Sequence, residues 1–199
     1  MNWAGGDPLL NTFIQYPEGE LARLVFHELA HQLVYARDDT DFNESFATAV
    51  ERLGVQRWLA QSPNPAARLE YQAFDQRREA FRRLTRGVRE RLQAVYADAA
   101  LDDAAKRARK AAVMADFRRE YEDLKAFWGG FAGYDAWVAR ANNAALGAQG
   151  AYDRFVPAFE ALFEREGRDF TRFYDAVRAL ARLPQAERHA ALQTLAPSR

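Results

Sequence analysis

The chain has 199 residues, 49% hydrophobic and 28% charged, which is enough for one substantial core and too apolar for a disordered chain. Its 28 basic residues balance 28 acidic ones, so no net field is available to hold nucleic acid or an anionic membrane surface, and the absence of cysteine excludes disulfides and thiolate metal sites. No apolar run approaches the ~20 residues that span a bilayer, and the start MNWAGGDPLL has neither the basic beginning nor the long apolar stretch of a signal peptide.

Helical periodicity dominates the chain. DPLLNTFIQY, Asp7 to Tyr16, is the only good strand candidate, and it is short. Pro17 and the two acids that follow it start a helix expected over about Glu18 to Ala36. RDDTD turns the chain into a second helix, Asn43 to about Ala60, which QSPNP ends. From Ala66 to about Ala100 the pattern changes, with Phe74, Phe81, Val88 and Val95 recurring every seven residues. A turn at ALDDAAK, capped by Asp102 or Asp103, leads into another charged helix to about Phe127, with Val113, Phe117, Tyr121 and Leu124 on one face. The two helices read as an antiparallel hairpin that packs on itself. Its arginine-rich stretches interleave with acids and lack an aromatic ladder, so they read as a solvated face.

WGGFAGYDAW, Trp128 to Trp137, is glycine-rich and aromatic. It is the best candidate for a functional loop outside the first two helices, because glycines allow close backbone approach. It lacks the Gly-Lys-Ser/Thr ending of a phosphate loop. Helices follow over Asp135 to about Leu146, Tyr152 to about Glu166 and Asp169 to about Leu183. A last one after Pro184 carries His189, read as a surface residue. The fold class is mainly α, with little or no β-sheet. The expected parts are a metal-binding helix pair (1–64), a long hairpin (65–127) and a C-terminal helical part (128–199) packed on the metal site, together forming one cooperative domain.

The chemistry concentrates in VFHELAHQL. His27 and His31 are two of only three histidines, and they stand four positions apart with Glu28 beside the first. On a helix, residues four apart lie about 40° apart on one face, so both imidazoles reach a single ion. Glu28 is about 100° round, too far to chelate easily but placed to handle a water on the metal. Leu24, Val25, Leu29, Leu33 and Val34 suggest a buried helix. A zinc ion needs a third protein ligand, and with no cysteine available the choice is among histidine and carboxylate. The second helix, opening DFNESFATAVERLG, supplies Glu44 if it runs antiparallel to the first. Thr48 and Glu51 follow on the same face, where Glu51, or Thr48, would orient a histidine. The competing role for Glu44 is a capping box with Asp41. Asn142 and Asn143 are adjacent amides that fit a polar substrate or supporting role, or a surface or capping role. The acids Asp38, Asp39 and Asp41, with Glu51, are spare charges near the two histidines.

HELAHQ followed by FNESFATAVE resembles the gluzincin metallopeptidases, in which a helix opening Asn-Glu-Gly-Phe-Ala supplies the third zinc ligand. Asn43, Glu44, Phe46 and Ala47 match that opening, across a shorter spacer. The whole chain looks most like a bacterial family of predicted zinc aminopeptidases, with the runs DPLLNTF, YPEGELARLVFHELAHQ, FNESFATAVE, RWL, WGGFAGYD, NNAAL and VPAF. The resemblance implies a zinc-dependent peptidase, an aminopeptidase acting on peptides through a metal-activated water, with a gluzincin-like helical core. It also implies a tyrosine or histidine that steadies the oxyanion, for which Tyr152 comes first and Tyr134 second. Members of that family are about twice as long, with a lipoprotein-like first half and a cell-envelope setting. A shortened homologue or a late start is therefore expected, and so is the alternative of an inactive relative in which zinc is structural.

Overall fold

The computed structural model describes residues 16–196, apart from the side chains of residues 149–153. The strand expected over Asp7 to Tyr16 lies outside the described residues except for Tyr16, which is an exposed bend. Among the described residues the chain forms nine helices and no strand. They are α1 (Glu18–Leu33), α2 (Thr40–Gln61), α3 (Pro65–Ala97), α4 (Asp103–Phe127), α5 (Asp135–Arg140), α6 (Asn143–Asp153), α7 (Val156–Arg165), α8 (Phe170–Ala181) and α9 (Gln185–Leu195). The chain divides into two compact units, Met1–Gln72 with Ala151–Arg199, and Ala73–Gly150.

In the first unit α1 packs on α2, α2 on α7, and α7 on α8 and α9. The core is aromatic and aliphatic. Phe42, Phe46 and Ala47 of α2 meet Phe159 and Leu162 of α7, Phe173 and Val177 of α8, and Leu192 of α9, and all are essentially inaccessible to water. Phe42 and Phe46 both set their rings against Phe159, at 5.3 and 5.7 Å between centroids. Burying each such side chain contributes about 1.5–3 kcal/mol, so α2 is the best-anchored element of this unit.

The α1–α2 connection lies three residues earlier than the sequence suggests. α1 ends at Leu33 rather than Ala36, because Val34 is extended and Asn43 takes over the backbone groups of Ala36. α2 begins at Thr40 rather than Asn43, because Asp39 and not Asp41 is its N-cap, accepting from Phe42 N at 3.2 Å. Asp41 pairs instead with Arg154.

α1 is also less buried than its composition suggests. Only Gly19 and Ala30 are buried, and Leu29 and Leu33 are 54% and 41% exposed. The apolar residues surround the helix, but α2 covers only one side of it.

In the second unit α3 and α4 form the expected antiparallel hairpin. Phe81, Thr85, Val88, Leu92 and Val95 are buried at alternating spacings of four and three, a seven-residue period, and Phe81, Val88 and Leu92 cluster with Met114, Phe117 and Tyr121. Arg91 reaches both carboxylate oxygens of Glu120 across the pair, at 2.7 and 2.8 Å. Asp102 caps α4, accepting from Ala105 N. After α4 the chain turns through Gly129 and Gly130 at φ of 69° and 88°, a region that side-chain-bearing residues avoid. The turn folds Trp128, Phe131 and Tyr134 into an aromatic cluster rather than presenting an open loop. The single helix expected over Asp135 to Leu146 is two helices, α5 and α6, separated where Ala141 is extended and Asn142 Oδ1 accepts from Ala145 N.

Candidate metal centre

The site is built on the facing sides of α1 and α2. The four-residue spacing of His27 and His31 stacks their rings edge to face, 5.0 Å between centroids. α2 runs back past them and brings Glu44 opposite. His27 Nε2 is 3.4 Å from one Glu44 oxygen and His31 Nε2 is 3.9 Å from the other. One ligand atom from each of the three residues lies within 4.8 Å of the others. Donors about 2.0–2.1 Å from a tetrahedral ion stand about 3.4 Å apart, so this set is close to the spacing a small ion needs. Two imidazole nitrogens and one carboxylate suit a zinc-like ion better than magnesium or calcium, which take oxygen shells. Three protein ligands leave a fourth position for water or substrate.

The surrounding groups fix the chemistry of His27. Its Nδ1–H donates to Glu51 Oε2 at 3.0 Å, so in the neutral ring the lone pair is on Nε2, on the Glu44 side. Glu51 is 3% exposed, and its other oxygen accepts from Arg23 Nη1 at 2.7 Å. Burial alone would lower the His27 pKa, but the hydrogen bond to Glu51 and the charges of Glu51, Glu44 and Glu28 together hold it above the usual histidine value. His31 is pushed down by burial, with Glu44 opposing. For Glu51, burial pushes up, and the His27 hydrogen bond and Arg23 outweigh it, so its carboxyl lies below the usual carboxylate range. His31 Nδ1 is buried and has no hydrogen-bond partner among the described residues.

Asn43 holds the loop between the two helices. Its amide donates to Ala36 O at 2.7 Å and accepts from Ala36 N at 2.8 Å, closing the loop onto α2 just before Glu44. With Asp39 at the cap, Glu44 lies beyond the N3 position, so the capping-box role considered for it with Asp41 does not arise.

The other candidate residues are dispersed. Glu28 is exposed on α1, one position past His27. Thr48 is buried on α2, one turn after Glu44. Tyr134 belongs to the second unit, where it caps α5 and stacks on Phe81 at 4.0 Å with planes 6° apart. Asn143 is also in the second unit and donates to Tyr96 Oη at 2.8 Å. The side chain of Tyr152 lies outside the described residues.

His189 is not a simple surface residue. Its Nε2 lies 3.0 Å from both oxygens of Asp39, and its ring packs on Phe155. Arg188 Nη1 is 3.3 Å from the same carboxylate. α9 therefore holds the cap of the helix that carries Glu44. Sequence reasoning missed three supporting roles: Arg23 on Glu51, Asn43 on Ala36, and His189 with Arg188 on Asp39. The acid Asp39 and the motif residue Asn43 were visible signals, but their partners depend on tertiary closure.

No curated protein and no solved structure matches the chain. A family model does, over residues 1–192, and the chain belongs to that family, described as "Putative aminopeptidase".

Proposed function

We propose that the protein is a zinc-dependent peptidase of the gluzincin kind, removing N-terminal residues from peptides. The observation that carries this reading is the convergence of His27 Nε2 and His31 Nε2 on the Glu44 carboxylate. Family membership supports the peptidase class and the peptide substrate. His27, His31 and Glu44 would hold the ion, and Glu51 with Arg23 fixes the His27 tautomer whose lone pair is on Nε2.

When bound, zinc supplies Lewis-acid polarisation of the scissile carbonyl and an acidified water. Glu28 is the general base: it takes a proton as water attacks and returns it to the leaving amine. Its place on the helix, about 100° from His27, keeps it off the ligand face while leaving it near that face. Tyr152 remains the proposed oxyanion donor.

The test is zinc stoichiometry and hydrolysis of a peptide library by the wild-type protein and by Glu28→Gln. The expected result is one zinc per chain in both, with hydrolysis lowered by at least about 10²-fold in the variant. Full activity in Glu28→Gln would refute the role of Glu28. One bound zinc with no hydrolysis by the wild type would assign the ion to stapling α1 to α2.

A further inference from the structure

On α1 and α2 the residues next to the metal-facing ones build a second feature. Phe26 precedes His27 and Val50 precedes Glu51, each turned about 100° away. With Gly54 and Trp58 of α2 and Phe170 and Tyr174 of α8, they line a cavity of about 290 Å³. A Cβ at Gly54 would stand 3.0 Å from the Phe26 ring, so the absence of a side chain there lets α1 and α2 approach and leaves the cavity open. The volume is at the small end of the ~300–1,000 Å³ typical of ligand pockets, a fit for one aromatic or branched residue rather than a large molecule.

The polar groups around this apolar lining are all able to donate. Arg57 and Gln61 complete the lining, and no acid belongs to it. Among the described residues the Arg57 guanidinium has no acidic partner; it stacks only on Phe170, 5.6 Å from the centroid. The Trp58 indole N–H and the Tyr174 hydroxyl have no hydrogen-bond partner there either. An apolar cavity ringed by a cation and neutral donors selects an apolar group that carries an anion. A carboxylate meets this requirement, and a second positive charge on the ligand would find no counter-ion.

We propose that this cavity binds the C-terminal apolar residue of a peptide, with the side chain between Phe26, Trp58 and Phe170 and the free carboxylate on Arg57. It is a site separate from the metal-binding residues, and it stands whether or not the metal reading holds.

The test uses the full chain and three probes: N-acetyl-L-phenylalanine, its amide, and free L-phenylalanine. The readout is the Trp58 indole N–H resonance, assigned with Trp58→Phe. The expected dissociation constant of the acid is on the order of 1 mM. The amide should bind at least about 10-fold more weakly, and free phenylalanine, with its unpaired ammonium, should also bind more weakly than the acid. Arg57→Gln, an exposed substitution, should bring the acid down to the level of the amide. Equal binding of acid and amide, or an unchanged affinity in Arg57→Gln, would overturn the proposal. So would shifts centred on the His27 and His31 rings, or displacement of the probe as protein concentration rises, which would assign the cavity to a second copy of the chain.

Discussion

Glu51 links a cation on one side, Arg23, to an imidazole on the other, and its burial makes both contacts matter. Losing a carboxylate that orients a metal-binding histidine costs about 10–100-fold in metal affinity. Glu51→Gln should therefore weaken zinc binding by that factor, as read by competition with a chelator of known affinity, while α2 keeps its place through Phe42 and Phe46. The same pairing sets the titration of the metal-free protein. His27 is raised, so its charged, paired form contributes stability below the unfolded value of about 6.5, and that contribution is lost as pH rises through the folded value. His31 is lowered, so its buried neutral form contributes stability above about 6.5, and that contribution is lost as pH falls through its folded value. Imidazole C–H resonances should show His27 titrating above His31, with His27 moving down in Glu51→Gln; the reverse order would contradict the Glu51 hydrogen bond. The four-residue spacing of the histidines was readable in the sequence because a helix alone puts them on one face. Arg23 and His189 were not, because their partners are 28 and 150 residues away.

The loop that joins the helix pair is held by one side chain. Asn43 satisfies both backbone groups of Ala36, which is 3% exposed, so Asn43→Ala would leave a buried N–H and C=O without partners. The cost should be about 2–4 kcal/mol in denaturant unfolding, together with weaker zinc binding. Asn43→Asp keeps the acceptor for Ala36 N and loses the donor to Ala36 O, so it should fall between the two. Equal zinc affinity in wild type and Asn43→Ala would show that the clamp does not position Glu44. Element existence followed from periodicity, and the seven-residue repeat of α3 picked out the buried Phe81, Val88 and Val95, while Phe74 is only partly buried and the buried Thr85 was not part of it. The boundaries at 33 and 40 did not follow, because a side chain standing in for backbone leaves no periodic trace. The exposed Leu29 and Leu33 show the same limit. A helix apolar all round does not say which side its neighbour covers.

The two compact units have separate cores, one built on Phe46, Phe159 and Phe173 and the other on Phe81, Phe117 and Tyr121. The candidate ligands all lie in the first. A bound ion stabilises only the folded form that holds it, by about 4 kcal/mol at a thousandfold excess over its dissociation constant. Calorimetry with and without a chelator should shift the transition of the first unit to lower temperature and leave that of the hairpin in place. Equal shifts of both would show that the units unfold together. The aromatic turn Trp128–Tyr134 belongs to this scale as well. Its glycines suggested a functional loop with close backbone approach; in the second unit they turn the chain so that three aromatic rings cluster, a packing that composition alone cannot express.

Arg23, His27, His31, Asn43, Glu44 and Glu51 all fall within one helix–loop–helix, with the outermost pair only 28 positions apart. In folding terms the centre has low contact order: no strand pairing and no distant segment is needed to bring its ligands together. On the proposed reading, a nascent chain carries all three candidate ligands as soon as α2 has emerged during synthesis, before α7, α8 and α9 exist to cover Phe42 and Phe46. At that stage a bound ion would add to the apolar contacts of Phe26, Ala30 and Val34 with α2 in holding the two helices side by side.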